Sequence, residues 1–164
     1  MKKIIVLLLT CLLVGCSRND TTSETTAKRY NEMVNLLNEQ IDYVEEETYF
    51  SIYAQVSKVS DGYRYYIFIE NPKIAMYNVE AIAITKDIDY TTNMASNIGI
   101  FDETKYNLIP NQVKIEDGYA KGLMLSGISS NADNDLYVLI QWRDVSLTNV
   151  SREFVHLTAN YVGD

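Results

Sequence analysis

Two runs of strict alternation on either side of a tight turn constrain this chain more than any other feature. Phe50, Ile52, Ala54 and Val56 alternate with Tyr49, Ser51, Tyr53 and Gln55. Tyr63, Tyr65, Ile67 and Ile69 alternate with Arg64, Tyr66, Phe68 and Glu70. A period of two sends successive side chains to opposite faces of a strand, so each run has one face for a core and one left over. Asp61-Gly62 stands between the runs and is a strong hairpin signal. Asn71-Pro72 ends the second run, because proline cannot donate to a ladder and asparagine tolerates turn geometry.

The same punctuation continues. Val79 to Thr85 reads as a third strand, and Ile98 to Phe101 as a short edge strand after the polar stretch Lys86 to Asn97. Pro110-Asn111 marks a turn, and Val113 and Ile115 lead into Asp117-Gly118, a second hairpin signal. Tyr119 to Ser126 follows as a strand, where Gly122 suggests a bulge or close packing. After a turn, Leu136, Val138, Ile140 and Trp142 alternate with Tyr137, Leu139 and Gln141, and a last strand covers Val150 to Leu157. About seven or eight short strands with regular turns are the pattern of an antiparallel sandwich or barrel. No βαβ alternation is present, which argues against a parallel nucleotide-binding sheet.

One helix precedes the strands. Between Ala27 and Glu47, Tyr30, Met33, Val34, Leu37, Ile41 and Val44 recur at spacings of three, four and seven. Thr25 or Thr26 offers an N-cap. Lys28 and Arg29 would sit at the positive end of the helix dipole and Glu45 to Glu47 at the negative end, each placement costing about 0.3–1 kcal/mol. Such a helix depends on packing its apolar stripe, against either the domain's own sheet or a partner helix.

The start of the chain is a different kind of segment. Lys2 and Lys3 precede an apolar run from Ile4 to Val14, too short to span a bilayer and shaped like an export signal. The run closes with Leu13-Val14-Gly15-Cys16, which resembles the lipobox of a bacterial lipoprotein signal peptide. The resemblance implies cleavage after residue 15 and diacylglycerol attachment at Cys16, which becomes the N-terminus. Burial of acyl methylenes, about 0.8 kcal/mol each, then anchors the protein to the cell membrane on its extracytoplasmic face. Ser17 to Thr26 contains no large apolar residue and reads as a flexible tether, about 17 Å as a coil and about 35 Å stretched. The expected organisation is a signal at 1–15, a lipidated Cys and tether at 16–26, an amphipathic helix at 27–47 and a β-sandwich at 48–164.

Removing the signal also removes Cys11, so the exported chain has a single Cys and no internal disulfide. It would hold twelve cationic side chains against 22 acidic ones, a net charge of −10. That balance argues against nucleic acid, whose phosphates require a basic patch.

Candidate chemistry is sparse. The single histidine, His156, shares a strand face with Phe154 and has no nucleophile in a recognisable motif. Asn131, Asp133 and Asp135 have the opening spacing of a calcium loop, but Leu136 and Trp142 stand where the loop requires Gly and Glu. Asp87/Asp89, Asp102/Glu103 and Glu116/Asp117 read as solvated charge in polar segments and turns. No phosphate loop, zinc spacing or dinucleotide fingerprint is present, so neither a catalytic residue nor a metal nor a cofactor is expected.

Thirteen tyrosines are the compositional excess. Tyr49 and Tyr53 in one strand, and Tyr63, Tyr65 and Tyr66 in the next, form the candidate binding surface, since Tyr suits contact surfaces. The Asn71-Pro72 turn, and the Gly-containing strand after Leu108, Pro110 and Asn111, resemble the immunoglobulin-like domains of small Gram-positive lipoproteins. That resemblance implies an immunoglobulin-like antiparallel β-sandwich with Trp142 in its core. The expected function is a non-catalytic binding or assembly role with a protein partner at the cell surface. The alternative is a module that binds a glycan or peptide through the same tyrosines.

Overall fold

The computed structural model describes residues 20–44 and 49–163, with side chains from residue 23 onward. The signal segment, Cys16 and residues 17–19 of the expected tether lie outside the described residues. The fold is a mainly β sandwich preceded by one helix. Its elements are α1 (Asp20–Glu39), β1 (Ser51–Val59), β2 (Gly62–Glu70), β3 (Met76–Ile84), β4 (Ser96–Ile98), β5 (Tyr106–Leu108), β6 (Gly122–Ser129), β7 (Asp133–Arg143) and β8 (Val150–Asn160).

The strands form two antiparallel sheets, β1-β2-β6 and β4-β3-β7-β8, and β5 adds a short pairing to β3. In A-to-G lettering this is A-B-E against C′-C-F-G, the strand order of an immunoglobulin-like sandwich. Phe50, Ile67, Ile69, Met76, Leu108, Leu125 and Leu136 fill the space between the sheets. Trp142 is buried there too, edge-on to Phe50 at 6.1 Å. It stands on β7, the F position, whereas antibody domains carry their core Trp on strand C.

The alternation in the first two strands is realised. Val59 pairs with Gly62 across Ser60 and Asp61, and Phe50, Ile52, Tyr65, Ile67 and Ile69 are all buried. At the second Asp-Gly, the chain makes a 3₁₀ turn over Ile115–Asp117, with Gly118 left-handed at φ 78°. The reversal is closed by a Lys114–Tyr119 bridge rather than by a two-residue hairpin. Gly122 opens β6 instead of lying in its middle, and it is closely packed as expected, since an added Cβ would lie 2.7 Å from Ile69 O; Gly127 is a second tight site. The edge strand lies at Ser96–Ile98, just before the expected Ile98 to Phe101.

β3 explains where the helix goes. It is apolar on both faces, with Ala81 and Ala83 toward the sandwich and Ile82 and Ile84 outward. Outward-facing Ile82, Ile84 and Leu139 need cover, and Tyr30, Met33, Val34 and Leu37 of α1 supply it. Burying each such side chain stabilises by about 1.5–3 kcal/mol. The stripe therefore packs on the domain's own sheet. Tyr30 also accepts the Ala95 N–H at 2.7 Å and lies 5.5 Å from Phe101, tying the 85–101 segment to the helix.

The helix bounds differ from 27–47 at both ends. α1 begins at Asp20, because no Gly or Pro in the Ser/Thr-rich stretch stops propagation from an established helix. Lys28 and Arg29 consequently sit within it rather than at its positive end. It stops at Glu39 because the following segment joins β8: Val44 N–H donates to Phe154 O at 2.9 Å. Tyr43 folds back and its hydroxyl lies 3.2 Å from Gln40 O, at the helix terminus. Ile41, placed in the stripe by periodicity, is 85% exposed as a result.

Tyr65 ties the two sheets together. Ser96 Oγ donates its one proton to Ser126 O at 2.8 Å, so the Tyr65 hydroxyl is the donor in its 2.9 Å bond to Ser96. The ring passes over Gly127, where an added Cβ would lie 2.5 Å from Ser96 Oγ and collide with the Tyr65 ring.

Leu37→Ala should lower unfolding free energy by about 2–5 kcal/mol in urea titrations. A loss below about 1 kcal/mol would show that α1 is not part of the cooperative unit. Gly127→Ala should cost about 1–3 kcal/mol through overpacking, read by the same titration.

Candidate functional site

Two surfaces carry functional potential, one aromatic and one charged. The aromatic surface is the outer face of β1-β2-β6. Register places Tyr53, Phe68 and Met124 in one row and Gln55, Tyr66 and Ser126 in the next. Tyr53 stacks on Phe68 at 5.0 Å with 18° between planes, and Tyr66 stacks on Phe68 at 6.5 Å. Ile128 lies one row further, opposite Arg64. Tyr53 on β1 and Met124 and Ile128 on β6, the two edge strands of this sheet, are 40, 49 and 52% exposed.

The five tyrosines read from the sequence divide among four places. Tyr53 and Tyr66 share the strip around Phe68. Tyr65 points inward, and burial, opposed by its Ser96 hydrogen bond, raises its phenol pKa. Tyr49 lies edge-on to Trp142 at 5.5 Å, and Tyr63 packs on Tyr161 at 5.4 Å. Alternation accounts for the split: even-numbered β2 residues face out and odd-numbered ones face in. Phe68 is the centre of the strip, and its signal was a large apolar side chain in the outward phase.

The second surface is a cleft beside α1 on the outer face of the other sheet. Glu80, Gln141 and Arg152 form one cross-strand row over β3, β7 and β8. Glu80 is buried and ion-paired with Arg29 of α1. Gln141 donates to the other Glu80 oxygen at 2.5 Å and accepts from Arg152 Nε at 3.1 Å. The next row holds Tyr77, Arg143 and Val150. A cavity of about 320 Å³ opens here, lined by Arg29, Lys105, Arg143 and Arg152 together with Glu32 and Glu80. A neighbouring cavity of about 360 Å³ shares Arg29, Gln141 and Arg152 and continues along the helix. The sequence reading missed this site. Its one signal was Glu80, a carboxylate inside the apolar run of β3, where an acid needs a partner.

Arg143 and Val150, which line the cleft, are joined by a hydrogen-bonded loop. Asp144 accepts from Asn149 Nδ2 at 2.6 Å, from Ser146 Oγ at 2.7 Å and from the Thr148 amide at 3.2 Å. These bonds, led by the Asn149 side chain, hold its pKa down at about 2. Leu147 adopts φ 59° in this loop, and its carbonyl accepts Arg143 Nη1 at 3.0 Å.

At the opposite end of α1, His156 stacks on Tyr137 at 4.7 Å and its Nε2 lies 3.0 Å from Asp135 Oδ1. Lys86 Nζ stands 4.3 Å from the Tyr137 ring centre. Asn131 donates to Asp87 at 3.2 Å, while Asp133 and Asp135 belong to β7. Among the described residues, no group of three or more His, Cys, Asp or Glu is placed to hold a metal ion. Among the described residues, no helix is long and apolar enough to cross a membrane.

Comparisons with protein-family models, curated proteins and solved structures return no match to this chain.

The Asp144 loop makes a pH prediction. A carboxyl pKa lowered on folding adds stability that is full above the ordinary value of 3.8 and is lost as pH falls through about 2. An NMR titration of the Asp144 carboxyl carbon should show its midpoint near 2, and Asp144→Asn should remove this part of the acid dependence of stability. A midpoint near 3.8 would show that the loop bonds do not persist in solution.

Proposed function

We propose that this chain is a lipid-anchored, non-catalytic binding module of the cell envelope, held at the extracytoplasmic face of the membrane through Cys16. Its outer β1-β2-β6 face takes a protein partner. The observation that carries this reading is the asymmetry of the sandwich. The apolar part of one sheet's outer face is covered by α1, whereas the other sheet's outer face leaves an aromatic cluster of Tyr53, Phe68 and Tyr66 uncovered, with Met124 in the same row as Phe68 and Ile128 two rows on. Contiguous apolar surface of this kind marks interaction sites more often than it marks plain monomer surface. Tyrosine and methionine suit such contacts, because they offer large area together with adaptability. The lipobox at Leu13-Val14-Gly15-Cys16 supports the address. The net charge of −8 supports a partner other than nucleic acid.

The test is site-specific photo-cross-linking in intact cells, with a photoreactive residue in place of Tyr53, of Ile128 or, as a control, of exposed Ile115. The proposal expects one discrete adduct from the first two positions and none from the third. Tyr53→Ala should abolish the Ile128 adduct with little change in thermal midpoint. Equal labelling from all three positions would overturn the assignment of the face. Unchanged membrane fractionation and processing of Cys16→Ser would overturn the anchor.

A further inference from the structure

We infer that the cleft between α1 and the outer face of β3-β7-β8 is a binding site for a small oxyanion, a carboxylate or phosphate group on a soluble molecule. The inference is independent of the aromatic face. It starts from charge placement. The chain carries a net charge of −8, yet three of its five arginines, Arg29, Arg143 and Arg152, line a single cavity together with Lys105. Against these four cations the cavity has two carboxylates, Glu32 and Glu80. Arg29 is committed to Glu80. Among the described residues, Lys105, Arg143 and Arg152 make no ion pair. A local excess of positive charge inside an acidic molecule attracts anions to one place, and partly enclosing walls strengthen that field.

The arginines are also held in position. Arg152 is fixed through Nε to Gln141, which leaves both terminal nitrogens of its guanidinium for other acceptors. Arg143 is fixed through Nη1 to the Leu147 carbonyl, inside the loop that Asp144 organises. Cross-strand register places the two on adjacent rows of the same face, Arg143 beside Val150 and Arg152 beside Gln141. Two guanidiniums anchored at one nitrogen each lose little further entropy on binding and present planar donor forks, the geometry that carboxylate and phosphate take in two-point fashion. Glu80 has its two oxygens occupied by Arg29 and the Gln141 amide, so its main effect on a bound anion is to hold back Arg29, which Glu80→Gln would release. At about 320 Å³ the cavity is larger than one phosphate needs, so the oxyanion is expected to be part of a larger polar molecule.

The experiment uses the full chain in a mild neutral detergent. Inorganic phosphate and citrate are titrated separately, each against sodium chloride of equal ionic strength, with thermal midpoint and calorimetric heat as readouts. The inference expects at least one of the two anions to raise the midpoint beyond the chloride control. The double variant Arg143→Gln/Arg152→Gln should weaken that binding about tenfold or more. Lys105→Gln, an exposed position, should weaken it less and serves if the double variant fails to fold. Glu80→Gln should strengthen it, an opposite sign that mere loss of structure does not produce. If neither anion exceeds chloride, or if the effect survives the loss of Arg143 and Arg152, the inference is overturned. Cross-linking through Tyr53 is not involved in any of these readouts, so failure here leaves the proposed docking face standing.

Discussion

The burial of β3 on both faces is the constraint on which the rest of the structure depends. A sandwich strand ordinarily has one dry face and one wet one. Here Ile82 and Ile84 make the outer face apolar beyond Glu80, and Leu139 on β7 extends the problem sideways. Water cannot cover those side chains cheaply, so α1 must. Once α1 lies there, its Arg29 reaches Glu80, its Tyr30 holds Ala95, and the chain leaving its C-terminus is directed to β8. The cleft, the placement of the 85–101 segment and the course of residues 40–44 all follow from one apolar stripe meeting another.

The opposite sheet is organised by a different economy. Tyr65 spends its aromatic bulk in the core and its hydroxyl on Ser96 of the facing sheet. This arrangement works only because Gly127 has no side chain to obstruct the ring. With its inward tyrosine serving as a strut, β2 has Tyr66 and Phe68 left for the outside. The two surfaces thus differ in kind: one presents aromatic rings on an open sheet, the other presents fixed guanidiniums in a recess.

Much of the sandwich was legible in the sequence, and the reasons are physical. Phe50 to Val56 and Tyr63 to Ile69 obeyed period two because the register of a half-buried strand is specified by its pattern. Asn71 and Asn111 marked turns and do adopt positive φ, which asparagine tolerates. The helix stripe was legible, but its end was not. Ile41 continued the period, while the pairing of Val44 with β8, a contact distant in sequence, decided where the helix stopped. The same applies to the candidate sites. Tyr53 and Tyr66 could be assigned to one face from alternation alone. The cleft joins residues as far apart as Arg29, Glu80, Gln141 and Arg152, and only strand order brings them together. β5 escaped notice because three residues are too few to show a period.

The short pairing at Val44 has a bearing on how this protein behaves in a crowd. β8 is an outer strand, and a long bare edge of this kind can recruit the strands of neighbouring molecules and grow by addition. Val44 lies parallel to it at Val155, so that edge is not one uninterrupted template. A molecule concentrated on a two-dimensional surface meets copies of itself far more often than one free in solution. Under the membrane anchoring proposed above, interrupting that template would guard against sheet-to-sheet polymerisation as much as it positions the chain.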